Sequence, residues 1–489
     1  MNDLRHAFRG LGKSPGFAAV AILTLALGIA ANTTVFSWIQ ALVLRPLAGV
    51  PDQERVMVLG GQARSGDFRA FSVPDVRDLQ AADLPVSVAA FDMQTMNLAG
   101  RERPERVWAG LVTGNLFEVL DVQPVLGRGF RPEEDRTAAT HPVVVLGHRF
   151  WQSRFAGDPK VVGQEIQLNN RAFTVVGVAP EGFAGPFAGL AMDLYVPLAM
   201  QPVVVSGQSF LEERGSRWLD VLVRLKEGAT VEEAQAAINT VAARLGRDFP
   251  DVNGGVRFLL YTFAKSPTGA TSYMAPVLTV LGGMVGIVLL IACANVANLL
   301  LVRALGRRRE VAIRLSLGAG RWRLIRQLLA ESLVLVVLAG TLGLLASRWG
   351  TGLLAALIPP TDAPVAPTFA LDGQVLAFAC VLSLLTGVLF SLAPALQLAS
   401  PQMATTLREE GTAASAGGRK ARLRSALVVA QIALSAVLLI AAGLFVRSLE
   451  KAAKLDPGFS ARNVLLASVD LFPNGYNEER GTIFFRRLL

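Results

Sequence analysis

Apolar positions in this chain are grouped in two different ways, and the grouping predicts two kinds of structure. Five stretches are apolar almost without a break: Phe17–Leu44, Ala275–Val302, Leu328–Ala346, Gln374–Leu396 and Ser425–Val446. Runs of this length, all but free of charge, predict membrane-spanning helices. At a rise of 1.5 Å per residue the first would reach roughly 42 Å, against a hydrocarbon core of about 30 Å. That helix is therefore expected to project from the outer surface as a stalk.

Between the first two runs, over 45–274, apolar residues come instead in short alternating blocks separated by Gly, Pro, Asn and Asp. This pattern predicts strands at Arg55–Leu59, Val86–Phe91, Arg106–Val112, Val143–Leu146, Glu165–Leu168, Ala172–Val178, Leu194–Pro197, Leu219–Leu225 and Val256–Phe263. Asn169-Asn170 suits a tight hairpin turn. Thr230-Val-Glu-Glu233 reads as a capping box opening a helix whose Ala234, Ala237, Ile238, Val241, Ala242 and Leu245 share one face. The stretch is long enough for a sizeable core and is expected to form two lobes. The fold class that follows is a multi-pass α-helical membrane protein of about five transmembrane helices. A large mixed α/β domain is inserted between helices 1 and 2.

Composition and charge set the orientation. The chain is 52% hydrophobic and 17% charged, with a net charge of +9, and soluble domains carry roughly a quarter charged residues. The inserted domain is slightly acidic, so the positive excess lies beside the apolar runs. That placement fits membrane topology and argues against a nucleic-acid partner, which would need a basic patch on the folded domain. Arg5, Arg9 and Lys13 in segment 1–16, the arginines of 303–327, and Arg408, Arg419, Lys420, Arg422 and Arg424 in 397–424 mark cytoplasmic segments. The connection 347–373 holds Arg348 and Trp349 as interface anchors and no Lys or Arg from Pro359 to Asp372, so it belongs outside. The Ala413–Gly418 stretch reads as a flexible linker.

Within 303–327, Val311, Leu315 and Gly318 fall on one side of a helix while Arg307, Arg308 and Arg314 face water or acidic groups. Two readings stand: a topology anchor, or a docking helix for a cytoplasmic partner. In the second span, Gly282 and Gly286 form a GxxxG pattern for close helix contact, and Asn295 and Asn298 share a face suited to interhelical hydrogen bonds. Asn32, Thr33 and Thr34 are expected to pack against a neighbouring helix. Cys293 and Cys380, inside apolar runs, read as small packing residues, and His6, His141 and His148 have no ligand spacing, so no metal and no cofactor is expected. Gly12-Lys13-Ser14 resembles the end of a phosphate-binding loop, but position 7 is Ala7 where such a loop needs glycine. No nucleophile–base pair stands out in 45–274, so an enzyme is not expected.

The order of helix, outer domain and three helices, with a basic loop after the second, resembles the permeases of MacB- and FtsX-type ABC transporters. The motifs are Arg308-Arg-Glu-Val-Ala-Ile-Arg-Leu-Ser-Leu-Gly-Ala319 in the loop, then Gly163–Leu168 and Phe173–Val178 in the outer domain. Asn115-Leu-Phe117 with Val125-Leu-Gly-Arg-Gly-Phe130 is similar to the MacB periplasmic core. Leu11–Phe17, Leu27–Asn32 and the fifth span look most like the duplicated orphan (ADOP) branch. A strand-like 463–469 within 447–489 would begin a second outer domain, so the chain is expected to be the N-terminal half of a duplicated protein or a truncated frame.

The resemblance implies a bacterial inner-membrane protein with its N-terminus in the cytoplasm and an outer domain of MacB periplasmic-core type. It implies docking of a cytoplasmic ABC ATPase on the coupling segment, at Arg308, Arg309, Glu310, Arg314, Leu317, Gly318 and Ala319. The other implied partners are membrane lipid, a second copy or second permease half, and a periplasmic adaptor. ATP-driven motion would pass through the helices to the outer domain and extrude substrates already outside the cytoplasm. The alternative is an FtsX-like signalling protein controlling cell-wall hydrolases.

Overall fold

The computed structural model describes residues 14–44, 47–99, 105–187, 189–205, 209–267, 270–306, 321–356, 373–399, 417–454, 469, 471, 476 and 478–488. They fall into two compact units, one of helices and one containing 39–276.

In the helical unit, α1 (Pro15–Ile39) ends in a π-helical turn, Gln40–Leu44. The outer unit follows. Its strands are β1 (Val56–Gln62), β2 (Phe68–Arg69), β3 (Val86–Leu98), β4 (Glu105–Val112), β5 (Leu126–Gly127), β6 (Val143–Leu146), β7 (Glu165–Leu168), β8 (Arg171–Val178), β9 (Leu194–Pro197), β10 (Asp220–Leu225) and β11 (Arg257–Tyr261). Helices α2 (Val73–Ala81), α3 (Leu116–Val119), α4 (His148–Phe155) and α5 (Val231–Asp248) are interleaved with them. The chain then returns to long helices: α6 (Ala270–Gly306), α7 (Arg321–Ala356), α8 (Gly373–Ala399) and α9 (Gly417–Ala453), with α10 (Glu478–Leu488) last.

The eleven strands form one sheet in the order β11-β1-β10-β3-β4-β9-β6-β8-β5, with β2 on β1 and β7 bridging β3 and β8. Two cores lie on its two faces, and the period-2 geometry of a strand decides which residue joins which. Met57 and Leu59 of β1 belong to one core with Ala90, Leu111, Val144 and Val223. Their neighbours Val56 and Val58 belong to the other with Ala89, Val112, Val145 and Leu222. The first face is covered by α2, α4 and α5, the second by Leu47, α3 and Phe183. The two expected lobes are thus one sheet: the apolar blocks lack a clean polar alternation because both faces are buried.

All nine predicted strands are present. β3 runs on past Phe91 to Leu98 despite Asp92, Gln94 and Asn97, because the register Phe91↔Val112 to Leu98↔Glu105 with β4 satisfies its backbone throughout. The hairpin of β7 and β8 turns at Asn169 (φ 48°) and Asn170 (φ 61°), both left-handed, the conformation Asn tolerates best after glycine. Thr230 Oγ1 accepts from the Glu233 amide and Glu233 accepts from the Thr230 amide, the reciprocal box expected for α5. α2 was not expected, although Ser72 accepting from the Asp75 amide with Pro74 in the first turn is a readable start signal.

Four helical stretches, Pro15–Leu44, Met274–Leu300, Ala330–Leu354 and Val428–Lys451, are long and apolar enough to cross a bilayer. α8 is 27 residues long and apolar over Gly373–Val388. The chain is a membrane protein with an α/β domain after its first helix. At 36 or 37 residues, α6, α7 and α9 run beyond the expected spans at both ends.

Candidate functional site

Arg308, Arg309, Glu310, Arg314, Leu317, Gly318 and Ala319 lie outside the described residues, as do most of 463–469. Their flanks are described: α6 ends at Gly306 and α7 begins at Arg321.

α1 is the hub. Arg303 near the end of α6 stacks its guanidinium 4.8 Å from the ring of Phe17 near the start of α1. Further along, the amide of Asn32 donates to Gly28 O on its own helix and to Val285 O on α6, both at 2.9 Å. A methyl at Gly28 would lie 2.8 Å from Leu289 Cδ1. α1 and α6 are therefore antiparallel and nearly touching. Thr34 Oγ1 donates to Ser347 O on α7 (3.4 Å), and Phe36 stacks on Phe378 of α8 with centroids 4.0 Å apart. Asn32 and Thr34 thus bond to neighbouring helices, as their positions suggested.

α7 meets its neighbours through Val336, Gly340, Gly343, Ser347 and Gly350, spaced alternately by four and three. A Cβ on Gly340 would sit 2.7 Å from Ser383 Oγ of α8; one on Gly343 would sit 2.9 Å from Ala26 O and 3.0 Å from Ile29 of α1. Small residues at this spacing let backbones approach closely, the main source of helix association in lipid. The same spacing was present in the sequence and passed unremarked. By contrast, a Cβ at Gly286 would meet nothing within 4 Å among the described residues. Among the described residues of the long helices, close contacts are made at Gly28, Gly340, Gly343, Gly350 and Gly387, and Gly282 lies half-buried on the same helix as Gly286.

Asn295 Oδ1 accepts from Gln431 Nε2 of α9 at 2.8 Å. Asn298 is half-buried and its Oδ1 has no partner among the described residues. Cys293 packs in the bundle core, but Cys380 is exposed, because α8 turns Val375, Ala379, Ser383 and Thr386 inward instead.

In the outer unit the π-turn Gln40–Leu44 packs against the turn Phe263–Lys265, so the chain enters and leaves the domain side by side. The family-like motifs hold loops in place. Asn115 Nδ2 donates to Val88 O, while Leu116 and Phe117 are buried beside Tyr195. Arg128 of the Val125–Phe130 motif grips Glu134 at both carboxylate oxygens, 2.9 and 2.7 Å. Burial opposes ionisation of Glu134, but Arg128, the Arg131 amide and the charge of Arg131 together outweigh it and hold the carboxyl below its usual range. Gly163 takes φ 90°, which only glycine adopts freely, ahead of β7.

Asp75 is fully buried. It accepts from Arg214 Nη1 (2.8 Å) and Asn253 Nδ2 (3.0 Å), with Arg217 Nη1 at 3.2 Å. Asp135 accepts from the amides of Gly114 and Ala199, each at 2.8 Å. Burial pushes its carboxyl up to about 6 against those two bonds. Asp92 is likewise pushed up to about 6 by burial. No three His, Cys, Asp or Glu side chains gather as a metal site among the described residues.

Known proteins share this arrangement. The MacB-like periplasmic core domain matches residues 18–241, and the FtsX-like permease C-terminal domain matches residues 282–403, in that order on one chain. The chain belongs to the MacB/FtsX-type permeases. The macrolide export ATP-binding/permease protein MacB of Marinobacter nauticus is 28% identical over 81% of this permease and 56% of its own length. The pyoverdine export ATP-binding/permease protein PvdT of Pseudomonas syringae pv. tomato is 30% identical over 60% of this permease and 42% of its own length. The permease thus spans about half the length of the curated relatives it matches. Among solved structures, the periplasmic region of MacB from Actinobacillus actinomycetemcomitans aligns with 48% of this chain and 95% of its own, at 15% identity and a TM-score of 0.34. In this family the domain between the first two helices is extracytoplasmic, and the protein resides in the inner membrane.

Proposed function

We propose that this permease is the transmembrane subunit of an exporter that takes substrates from the outer face of the inner membrane and is powered by a cytoplasmic ATPase. The observation that carries the reading is the succession of the periplasmic core and the permease domain on one chain. In support, α1 is held by glycine contacts to α6 and α7 and continues through a π-turn into the outer domain. A displacement at the cytoplasmic ends of α6 and α7 would travel along these helices as rigid elements. The basic segment 1–16 supports a cytoplasmic N-terminus. The relatives are named for exporting macrolide and pyoverdine and join an ATP-binding part to the permease; here ATP hydrolysis is assigned to a separate subunit, and the working unit to two permease halves. Arg308, Arg309, Glu310, Arg314 and the Leu317–Ala319 turn form its docking surface.

The test is capture of cytoplasmic ABC ATPases by the full chain and by Glu310→Lys. Charge reversal is expected to weaken capture while membrane insertion stays normal, and unchanged capture would remove Glu310 from the docking surface. Substrate efflux lost on deletion supports export. Intact efflux with lost cell-wall hydrolase activation would instead favour a signalling role.

A further inference from the structure

A cleft of about 470 Å³ opens on the outer domain between one face of α2 and the turn Pro132–Asp135. Its size lies within the range of about 300–1,000 Å³ usual for small-molecule sites. The floor is apolar: Val73, Val76, Leu198 and Leu211 line it and are almost wholly withdrawn from bulk water by the surrounding fold. Gly114 closes one wall, where a Cβ would come 3.0 Å from that of Asp135.

Its charged lining residues are Arg77, Arg136, Glu118 and Asp135. Arg77 of α2, on the cleft wall, is paired with the exposed Glu212 at 2.7 Å and also acts through space on Asp135, favouring its ionised form. Glu118 of α3 and Arg136 are exposed at the rim and offset one another. On the same turn as Asp135, Glu133 is exposed and Glu134 is neutralised by Arg128. Asp135 alone is a largely buried carboxylate lining the cleft with no cationic side chain bonded to it among the described residues; its bonds are to backbone amides. A carboxylate has about four acceptor sites, so capacity remains beyond the amides of Gly114, Ala199 and Leu198.

We propose that this cleft binds a small organic cation with an apolar body, its ammonium group meeting Asp135 and its hydrocarbon lying over Val73, Val76, Leu198 and Leu211. Burial outweighs both the amide bonds and the through-space pull of Arg77 and leaves the carboxyl raised, so a cation in the cleft adds counter-charge that Arg77 supplies only in part. Binding therefore favours ionised Asp135 and strengthens as pH rises through about 6. The inference concerns recognition alone and goes beyond the export reading.

The experiment uses the full chain in phosphatidylcholine nanodiscs and three probes of one shape: 2-phenylethylammonium, 2-phenylethanol and 3-phenylpropionate. Ligand-observed NMR titration at pH 7.5 is expected to show the ammonium binding about tenfold tighter than the other two, as one charge-assisted hydrogen bond provides. Asp135→Asn should abolish that preference. Gln80→Trp, at an exposed position on the cleft wall, should abolish binding of the ammonium without touching the core. Should Asp135→Asn fail to fold, the wild-type pH profile decides: ammonium affinity falls from pH 7 to pH 5 while that of the alcohol does not. Equal affinity for all three probes, a preference surviving Asp135→Asn, or a flat pH profile overturns the proposal. No ATPase enters the measurement, so its failure is distinct from failure of the export reading.

Discussion

Adding one methyl group at Gly343 and one at Gly286 separates packing from helix propensity, because both glycines lie in apolar helices and only one is in contact. A Cβ at Gly343 would stand 2.9 Å from the backbone oxygen of Ala26 and 3.0 Å from Ile29 Cβ, where unstrained contact needs roughly half an ångström more. Neither partner can rotate away, since one is main chain and the other is the root of a β-branched side chain. α1 must therefore shift. Overpacking of this kind costs about 1–3 kcal/mol, against a gain of up to about 1 kcal/mol from replacing glycine by alanine in a helix. Gly343→Ala should lose about 1–2 kcal/mol, and Gly286→Ala, whose Cβ meets nothing among the described residues, should lose none. Gly350→Ala should fall between them, because the atom it meets is the rotatable Thr34 Oγ1. Unfolding of the micelle-bound chain by SDS, followed by tryptophan fluorescence, reads these differences, with Trp38 buried on α1 as a reporter. If Gly286→Ala proves as costly as Gly343→Ala, or Gly343→Ala is silent, the assignment of close contacts to α7 is wrong.

Two further outcomes are expected. Asp92 and Asp135 titrate near 6 in the folded domain against 3.8 for the free side chain. The folded state thus binds more protons between those values, so their contribution is favourable below pH 4 and is lost as pH rises to about 6. Thermal unfolding should show the outer domain more stable at pH 5 than at pH 7.5, by about 1.4 kcal/mol per group, since only the step from pH 5 to about 6 falls inside that window, and Asp92→Asn should flatten that slope; a domain more stable at pH 7.5 would contradict it. A double-mutant cycle on Asn295→Ala and Gln431→Ala should give a coupling of about 0.6 kcal/mol, the usual size of an interhelical hydrogen bond in a membrane. Zero coupling would mean that α9 is not held there.

Much of this permease was legible in one dimension. Apolar run length dictates five hydrophobic helices whatever surrounds them, since only a helix satisfies its own backbone in lipid. The nine strands, the Asn169–Asn170 turn and the Thr230 box were equally readable, being local chemistry. What local pattern could not decide was partnership. Gly286 and Gly343 look alike in sequence, yet among the described residues only Gly343 receives another helix, because rotation about each helix axis is set by all its neighbours together. Asp135 looked like one scattered acid among many. The fold buried it, bonded it to two distant amides and left it facing a cleft, and those three facts exist only once β4, β9 and the Pro132–Asp135 turn have come together.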